Sequence, residues 1–297
     1  MATLKDVQNK IGAVKKTKQI TRAMNMVAAS KLRGAQSHME AFRPYATKFA
    51  EVLESLSRSA GNDSNPLLVA HENTKKVNIV LCTSDRGLCG GFNTSIVEKA
   101  LSFAREAVSV DREVSFTTFG KKGRNWCRKM RFAIDSEYLD VVGSRIGFEV
   151  ASRVGKKLIN GFLEGTYDEV YLIYPEFISF ARQVPVVKKI LPMTPIETQK
   201  DEETERGKPY VPEHICEPSS DELLAELLPR NVYVQLYSAL LETSTSEHAA
   251  RMAAMNNATK ACKDMIDDLV LAYNKARQAA ITSELMDIVG GAEALSG

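Results

Sequence analysis

The 297-residue sequence contains no long uninterrupted apolar run. A helix that spans a bilayer requires roughly 20 consecutive apolar residues, and no stretch approaches that length. The opening residues, MATLKDVQNK, also lack the apolar segment of a secretory signal and predict a helix from the start. We therefore expect a chain without a direct membrane span that is not processed for export.

Net charge is also nearly absent, since 39 Lys and Arg residues face 37 Asp and Glu residues, which leaves +2. A chain this close to neutral is not built to coat a polyanion over its whole surface. The hydrophobic fraction of 44% is too high for a chain that is disordered throughout. The composition therefore indicates a folded protein with a substantial core.

Cysteine is scarce, and the cysteines that are present have no metal-binding spacing. The CxxC motifs and Cys/His clusters of structural zinc sites are missing. An odd and scattered set is typical of reduced thiols in a cytosolic compartment. We expect neither a metal site nor a cofactor site. The cysteines are Cys82, Cys89, Cys127, Cys216 and Cys262.

Proline and glycine are rare at both ends of the chain, where apolar residues recur at helical spacing. Over residues 1–58 the only proline is Pro44, which predicts one long N-terminal helix. Residues 221–297 predict a C-terminal helix, and Gly290 and Gly291 are expected to end it. At about 1.5 Å per residue, each helix is on the order of 80 Å long and exceeds a domain of this size. The two helices must therefore pack on each other, on partner chains, or on both.

Residues 75–194 change to short β-rich runs that alternate with amphipathic helices. This order predicts a parallel sheet covered by helices. An antiparallel strand or two is expected on the sheet edge between Phe177 and Pro192, and residues 195–220 predict an exposed acidic loop. The predicted strands are 77–83, 113–119, 132–135 and 168–175, and the predicted helices are 94–108, 121–130 and 144–163.

The order of these segments predicts how the terminal helices meet. The first helix enters the central region where the last one leaves it, so helices that dock on the same end run antiparallel. We therefore predict an α/β fold, in which a long antiparallel coiled coil of the N- and C-terminal helices joins a central Rossmann-like α/β domain with a mostly parallel sheet. The apolar stripe differs from a leucine-rich zipper, because it is interrupted by Lys18, Thr21, Ser244, His248 and Arg251.

A glycine-rich turn, SDRGLCGGFN at residues 84–93, follows the first predicted strand and precedes a helix. Doubly wound folds hold phosphate groups at such a place. The turn matches neither the GxGxxG pattern nor the P-loop pattern, and it contains no lysine to reach a phosphate. We predict a structural turn at Gly87, Gly90 and Gly91, and a nucleotide-binding Rossmann-type enzyme is the alternative.

The first 33 residues are strongly basic, with eight Lys and Arg residues against Asp6 alone. A coiled-coil scaffold or nucleic-acid clamp is a further alternative that this charge suggests. The basic residues surround the helix, however, and no aromatic residue for base stacking occurs before Phe42. An acidic protein partner around the helix explains this pattern better, so we expect no nucleic acid.

No grouping of residues predicts catalysis. The four histidines, His38, His71, His214 and His248, stand apart from any Ser or Cys in the context of a nucleophile. We expect these histidines to be exposed or to face a partner. We expect no catalytic residue in this chain.

Taken together, these segments resemble the gamma subunits of F-type ATP synthases over essentially the whole chain. The resemblance rests on five motifs in the expected order. They are QITRAMNMVAASKLRGAQ (19–36), SDRGLCGGFN (84–93), FGKKGR (119–124), YSALLETSTSEHAARMAAMNNATKA (237–261) and DLVLAYNKARQAAITSELMDIVGGAEAL (268–295). Gly34 departs from the family pattern, because a longer residue that favours helix is usual there.

The resemblance implies a non-catalytic rotor shaft. In this family the paired helices penetrate a ring of three alpha and three beta subunits, and the beta subunits hold the catalytic sites. The α/β domain forms a foot with the epsilon subunit on the c-subunit ring, and the delta subunit belongs to the same complex. Flow of protons or sodium drives ATP synthesis. The implied location is peripheral, at the cytoplasmic face of the bacterial inner membrane, in preference to a processed mitochondrial form.

The resemblance also implies which residues contact partners. The contact residues on the first helix are expected to meet acidic loops of the catalytic subunits. Those on the last helix are expected to take part in coupling as well. The expected contact and coupling residues are Met24, Lys31 and Arg33 on the first helix and Arg251, Arg277, Gln278 and Thr282 on the last.

Overall fold

The computed structural model describes residues 4–59, 65–71, 74–143, 145–193 and 219–296. The chain forms two compact units. The helical unit combines Met1–Ala29 with Arg251–Gly297, and the sheet unit is Ser30–Ala250. Most of the predicted acidic loop lies outside the described residues, and His214 and Cys216 lie outside them as well.

Helices separate the successive parallel strands, in the order that the sequence predicts. In chain order the elements are α1 Leu4–Ser59, β1 Lys76–Cys82, α2 Phe92–Ser109, β2 Glu113–Phe119, α3 Lys121–Met130, β3 Ala133–Tyr138, α4 Phe148–Leu163, β4 Glu169–Phe177, β5 Gln183–Leu191 and α5 Ser220–Ser296. Helix α4 begins at Phe148 and not at residue 144 as predicted, because Gly147 before it has extended backbone angles.

The strands form one sheet in the order β3-β2-β1-β4-β5. β1 pairs in parallel with β2 and β4, β2 pairs in parallel with β3, and β4 pairs antiparallel with β5. The mostly parallel sheet is confirmed, and β5 is its antiparallel edge strand. β1 lies at the centre with all of its residues buried after Lys76, which explains its continuous apolar run.

Helices cover both faces of the sheet. Alternate residues of a strand point to opposite sides, so each strand contributes side chains to both faces. On one face, Ile79 of β1 and Phe116 of β2 pack with Ile96 of α2 and Cys127 of α3. These two short helices therefore cover that face.

The opposite face carries the larger core of the sheet unit. Val80 and Leu172 pack there with α4, and both long helices contribute. Leu53 comes from α1, and Leu236 and Leu240 come from α5. The core of the sheet unit therefore contains residues from both ends of the chain.

Helix α5 runs from Ser220 to Ser296 and includes Pro229 and the pair Gly290 and Gly291. The prediction that the two glycines end the helix is therefore wrong. Each glycine costs only about 1 kcal/mol relative to alanine, and the flanking residues here favour helix. Neither long helix, nor any other helix in the described part of the chain, has the length and apolar character needed to cross a membrane.

Gly120 connects β2 to α3 at a position that only glycine fits. Its φ is 89°, and a β-carbon built there would lie 2.3 Å from the carbonyl oxygen of Thr83. The N–H of Thr83 donates to Phe119 O at 2.9 Å, and the N–H of Gly120 donates to Tyr138 O at 2.9 Å. The turn thus ties together the carboxyl ends of β1, β2 and β3.

Gly120→Ala is expected to lower the free energy of unfolding by about 2 kcal/mol or more, because alanine meets backbone strain and the Thr83 carbonyl. Gly34→Ala is the control in the same unit. No atom lies within 4 Å of a β-carbon at Gly34, and alanine there favours the helix by up to about 1 kcal/mol. Urea unfolding measures both changes, and an unaltered midpoint for Gly120→Ala would contradict the described turn.

Candidate functional site on the terminal helices

The glycine-rich turn lies at the carboxyl end of β1 and folds tightly on itself. Gly90 has a φ of 60°, a left-handed angle that suits glycine. The side-chain oxygen of Asn93 accepts from the N–H of Ser84 at 3.1 Å and from its hydroxyl at 2.9 Å. Gly91 then starts α2 without a side-chain cap. The hydrogen bonds brace the turn from within, as a structural turn requires.

A lysine approaches this turn, although the turn itself contains none. A β-carbon built at Gly87 would lie 3.6 Å from Nζ of Lys122. Lys122 belongs to the first turn of α3, and it is exposed. No pattern within residues 84–93 could predict this neighbour, because only the pairing of β1 with β2 brings it close.

Helix α5 fills the place where doubly wound folds bind ligands. That place lies at the carboxyl ends of adjacent strands where the strand order reverses, here between β1 and β4. Thr243 is buried, and its side chain is hydrogen-bonded to Cys82. The buried Ser246 hydroxyl donates to Pro175 O at 3.4 Å. Burial raises the pKa of Cys82 to about 12, so the thiol stays protonated. The occupied crevice argues against the nucleotide-binding alternative.

Two histidines predicted to be exposed or to face a partner are instead held within the sheet unit. His248 is 4% exposed, and its Nδ1 lies 3.3 Å from a carboxylate oxygen of Glu247. His71 is half-buried, and its Nδ1 lies 3.0 Å from Oδ1 of Asp168. For His71, the hydrogen bond to the Asp168 carboxylate compensates for the hydration that the ring loses on burial.

In the helical unit, the two terminal helices run antiparallel as predicted. Nδ2 of Asn25 donates to Met252 O at 2.8 Å, and the hydroxyls of Thr21 and Thr259 lie 2.8 Å apart. Residue numbers rise along α1 as they fall along α5. These polar contacts select one register, because a slip of either helix leaves them unmatched. Thr21 was recognisable as an interruption of the apolar stripe, whereas nothing in the stripe marked Asn25 or Thr259.

Met24 and Arg251 lie beside the contact between Asn25 and Met252, one residue away on each helix. Met24 is half-buried. Arg251 is only 9% exposed. The structure therefore brings these two predicted residues to the same level of the helical unit, where Arg251 is largely covered.

Arg277, Gln278 and Thr282 lie close together on a later part of α5. If the spacing of the two contacts is continued along both helices, Leu4 lies opposite a residue of α5 just before Arg277. Leu4 is the first described residue of α1. All three predicted residues are exposed, and the Thr282 hydroxyl donates to Gln278 O at 2.9 Å. These three side chains are therefore available to a partner.

Lys31 and Arg33 are exposed on α1 within the sheet unit. Lys31 lines a cavity of about 330 Å³ together with His38, Arg145 and His248. His38 is exposed, as predicted. None of the described residues that line this cavity is acidic, so its charge suits an acidic side chain of a partner.

The last part of α5 exposes large apolar side chains. Ile281, Leu285 and Ile288 follow one side of the helix and are 49%, 57% and 67% exposed. Met286 and Val289 extend this surface. We call these five residues the apolar tip. Contiguous apolar surface of this kind marks a site that another protein covers.

Comparison with known proteins identifies relatives along the full length. The family model described as ATP synthase matches residues 3–295. An ATP synthase gamma chain from Desulfosudis oleivorans is 64% identical, with all of both chains aligned. An ATP synthase gamma chain from Desulforapulum autotrophicum is 60% identical, again over the whole of both chains.

The fold is similar to that of a chain in a solved mitochondrial ATP synthase from Euglena gracilis, described as OSCP/F1/c-ring in rotational state 3. The match covers 98% of this chain and 94% of the other, with a TM-score of 0.68. Sequence identity is 19%, so this likeness concerns the fold alone.

Thr21→Val and Thr259→Val are expected to be energetically coupled, because each removes one side of a hydroxyl pair. Each single change should cost about 1 kcal/mol, and the double variant should lose about 0.5–1 kcal/mol less than the sum. Thermal unfolding of the four proteins measures this difference. The hydroxyl of Thr17 donates to Ala13 O of its own helix, so Thr17→Val should be additive with Thr259→Val. Additivity in both cycles would contradict the described register.

Proposed function

Because the chain belongs to the family of ATP synthase gamma chains, we propose that its terminal helices transmit rotation to the catalytic sites of the complex. The chain is the rotor subunit of the central stalk. It couples flow of protons or sodium to ATP synthesis and hydrolysis. It catalyses neither reaction itself, since the catalytic sites belong to the beta subunits. The full-length relatives do not favour the nucleotide-binding enzyme or the coiled-coil scaffold.

The apolar tip is the observation that carries this proposal. Five large exposed apolar side chains, most of them along one side of the helix, indicate that a partner covers this part of α5. A ring of three alpha and three beta subunits provides such a cover by enclosing the helix. The short side chains of Ala276, Ala279 and Ala280 precede the tip and offer few directional contacts. A helix with this surface turns within its enclosure without being held in one orientation.

The end of α5 differs from one side to the other. Ile281, Leu285 and Ile288 follow one side, and helical spacing places Ser283 and Asp287 on the other. Each catalytic site therefore meets an apolar side and then a polar side as the helix rotates. A contact shifts a site between its open, loose and tight states by the difference in contact free energy between those states.

The proposed coupling residues divide by exposure. Arg277, Gln278 and Thr282 are exposed and contact the enclosing subunits directly. Lys31 and its exposed neighbour Arg33 receive acidic side chains of the catalytic subunits beside the basic cavity.

Two further residues act at the level where the helices are paired. Arg251 is largely covered, so it acts by holding the helix pair in position. Met24 contributes a half-buried apolar contact at the same level.

The remaining partners lie at the foot of the stalk. We assign residues 1–58 and 221–297 to the shaft, 75–194 to the foot and 195–220 to an acidic loop. The foot contacts the epsilon subunit and the c-subunit ring, with the delta subunit in the same complex. The chain is a peripheral subunit, and we place it at the cytoplasmic face of the bacterial inner membrane, in keeping with its bacterial relatives.

Reconstitution with purified alpha and beta subunits tests the role of the apolar tip. The natural chain should form a 3:3:1 particle whose ATP hydrolysis depends on it. The double variant Leu285→Asp, Ile288→Asp should yield at least about tenfold less particle, because assembly would bury two unpaired carboxylates. Size exclusion chromatography and a hydrolysis assay measure both quantities.

A matched double variant, Val108→Asp with Leu163→Asp, makes the same change on the sheet unit. These side chains are also apolar and exposed, at 55% and 50%. This control should assemble with alpha and beta subunits like the natural chain. Equal yields from both double variants would contradict the enclosure of the tip.

Arg251→Gln is expected to separate coupling from assembly. The variant should assemble, while ATP hydrolysis continues without matching proton flow, so that the ratio of proton pumping to ATP hydrolysis in the membrane complex falls clearly below that of the natural chain. Arg105→Gln, an exposed change on α2, is the control and should leave the ratio unchanged. An unchanged ratio in Arg251→Gln would remove this residue from the coupling path.

A further inference from the structure

A second cavity, of about 240 Å³, lies in the sheet unit between α1, the β4–β5 hairpin and α5. On α1 it is lined by Ala46 and Ala50, whose small side chains leave the space open. Leu172 of β4 and Val234 of α5 add apolar walls. The cavity is far larger than a single water molecule needs, and it belongs to no part of the coupling surface.

Polar groups of α5 line this cavity with unused hydrogen-bonding capacity. Gln235 lines it, and Oε1 of Gln235 is buried without a hydrogen-bond partner among the described residues. Asn231 lines it as well, and Nδ2 of Asn231 is 3.6 Å from Sδ of Met193, a weak acceptor. One strong acceptor and one strong donor are therefore available on the same wall.

A lysine supplies positive charge to the cavity. Lys188 lines it from β5 and is exposed, which marks the open side. Among the described residues Lys188 has no ion-pair partner, whereas Nζ of the adjacent Lys189 lies 2.7 Å from Glu169. Glu242 is the acidic residue whose charge acts on the Lys188 ammonium group. The Glu242 carboxylate already accepts a hydrogen bond from the N–H of Phe177 at 3.2 Å.

We propose that this cavity binds a small 2-hydroxy carboxylic acid. The carboxylate accepts hydrogen bonds from Lys188 and Asn231, and the hydroxyl donates to Oε1 of Gln235. The short alkyl part of the ligand lies against Ala50 and Leu172. An apolar cavity with a few convergent polar groups is the usual form of a small-molecule site.

A 2-amino acid fits this cavity less well than a 2-hydroxy acid. Its ammonium group also donates to Gln235, but it adds a positive charge beside Lys188. A carboxylic acid that has no hydrogen-bond donor next to the carboxylate leaves Oε1 of Gln235 buried without a hydrogen bond. The site therefore selects both for the carboxylate and for an uncharged donor next to it. This proposal goes beyond the rotor role and does not depend on it.

Fluorine NMR titration of the full-length chain tests the proposal with three acids of similar size. Trifluorolactate carries the hydroxyl, 3,3,3-trifluoropropanoate lacks it, and 2-amino-4,4,4-trifluorobutanoate replaces it with an amino group that is protonated at neutral pH. Trifluorolactate should bind saturably and at least about tenfold more tightly than either of the others. Non-saturable binding, or equal affinity for trifluorolactate and trifluoropropanoate, would overturn the proposal.

Two variants locate the binding. Gln235→Leu should weaken trifluorolactate at least about tenfold and remove the preference for the hydroxyl. Lys188→Met should weaken trifluorolactate and trifluoropropanoate by a similar factor, and its exposed position preserves the fold. Lys129→Met, an exposed lysine on α3, makes the same charge change elsewhere and should have no effect.

Circular dichroism establishes that each variant is folded. If Gln235→Leu does not fold, the affinities of Lys188→Met and Lys129→Met for trifluorolactate still show whether the acid binds in this cavity. Binding that survives Lys188→Met unchanged would show that the acids bind elsewhere and would overturn the assignment.

Discussion

The packing of α5 across one face of the sheet is the contact on which the sheet unit depends. Leu236 and Leu240 of this helix complete the larger core, opposite Val80 and Leu172. Removing that helix would expose the central strands on one side, and burial of apolar surface is the dominant favourable contribution to folding. The polar residues of α5 close the crevice at the strand ends. A position that holds a cofactor in related architectures here holds a piece of the protein itself.

Much of this fold could be predicted, because local patterns control it. The apolar run of β1 indicated a buried central strand, and the helical period at both ends indicated two long helices. The predicted helix end at Gly290 was wrong, since two glycines cost less than the surrounding helix gains. The start of α4 was misplaced because the conformation of Gly147 is set by its surroundings.

The candidate site was only partly predictable, because its contacts join distant segments. The positions on the terminal helices followed from a family resemblance, but the exposure of Thr282 and the burial of Arg251 required the structure. Nothing near Asn25 in the sequence indicates that its amide meets Met252. The burial of Gln235 could not be predicted either, because a glutamine on a long helix usually faces solvent. Only the packing of α1 and β5 around it leaves its side-chain oxygen buried.

The core built from both chain ends has a consequence for biosynthesis. Leu53 leaves the ribosome early, whereas its core neighbour Leu240 follows only after the whole sheet has been made. The part of the apolar face that α5 covers, formed by Val80 and Leu172, must therefore stay open until Leu240 has been made, a state that favours aggregation. A chaperone that binds apolar surface on the nascent chain would protect this face until α5 emerges, so the timing of synthesis is part of how this subunit reaches its assembly.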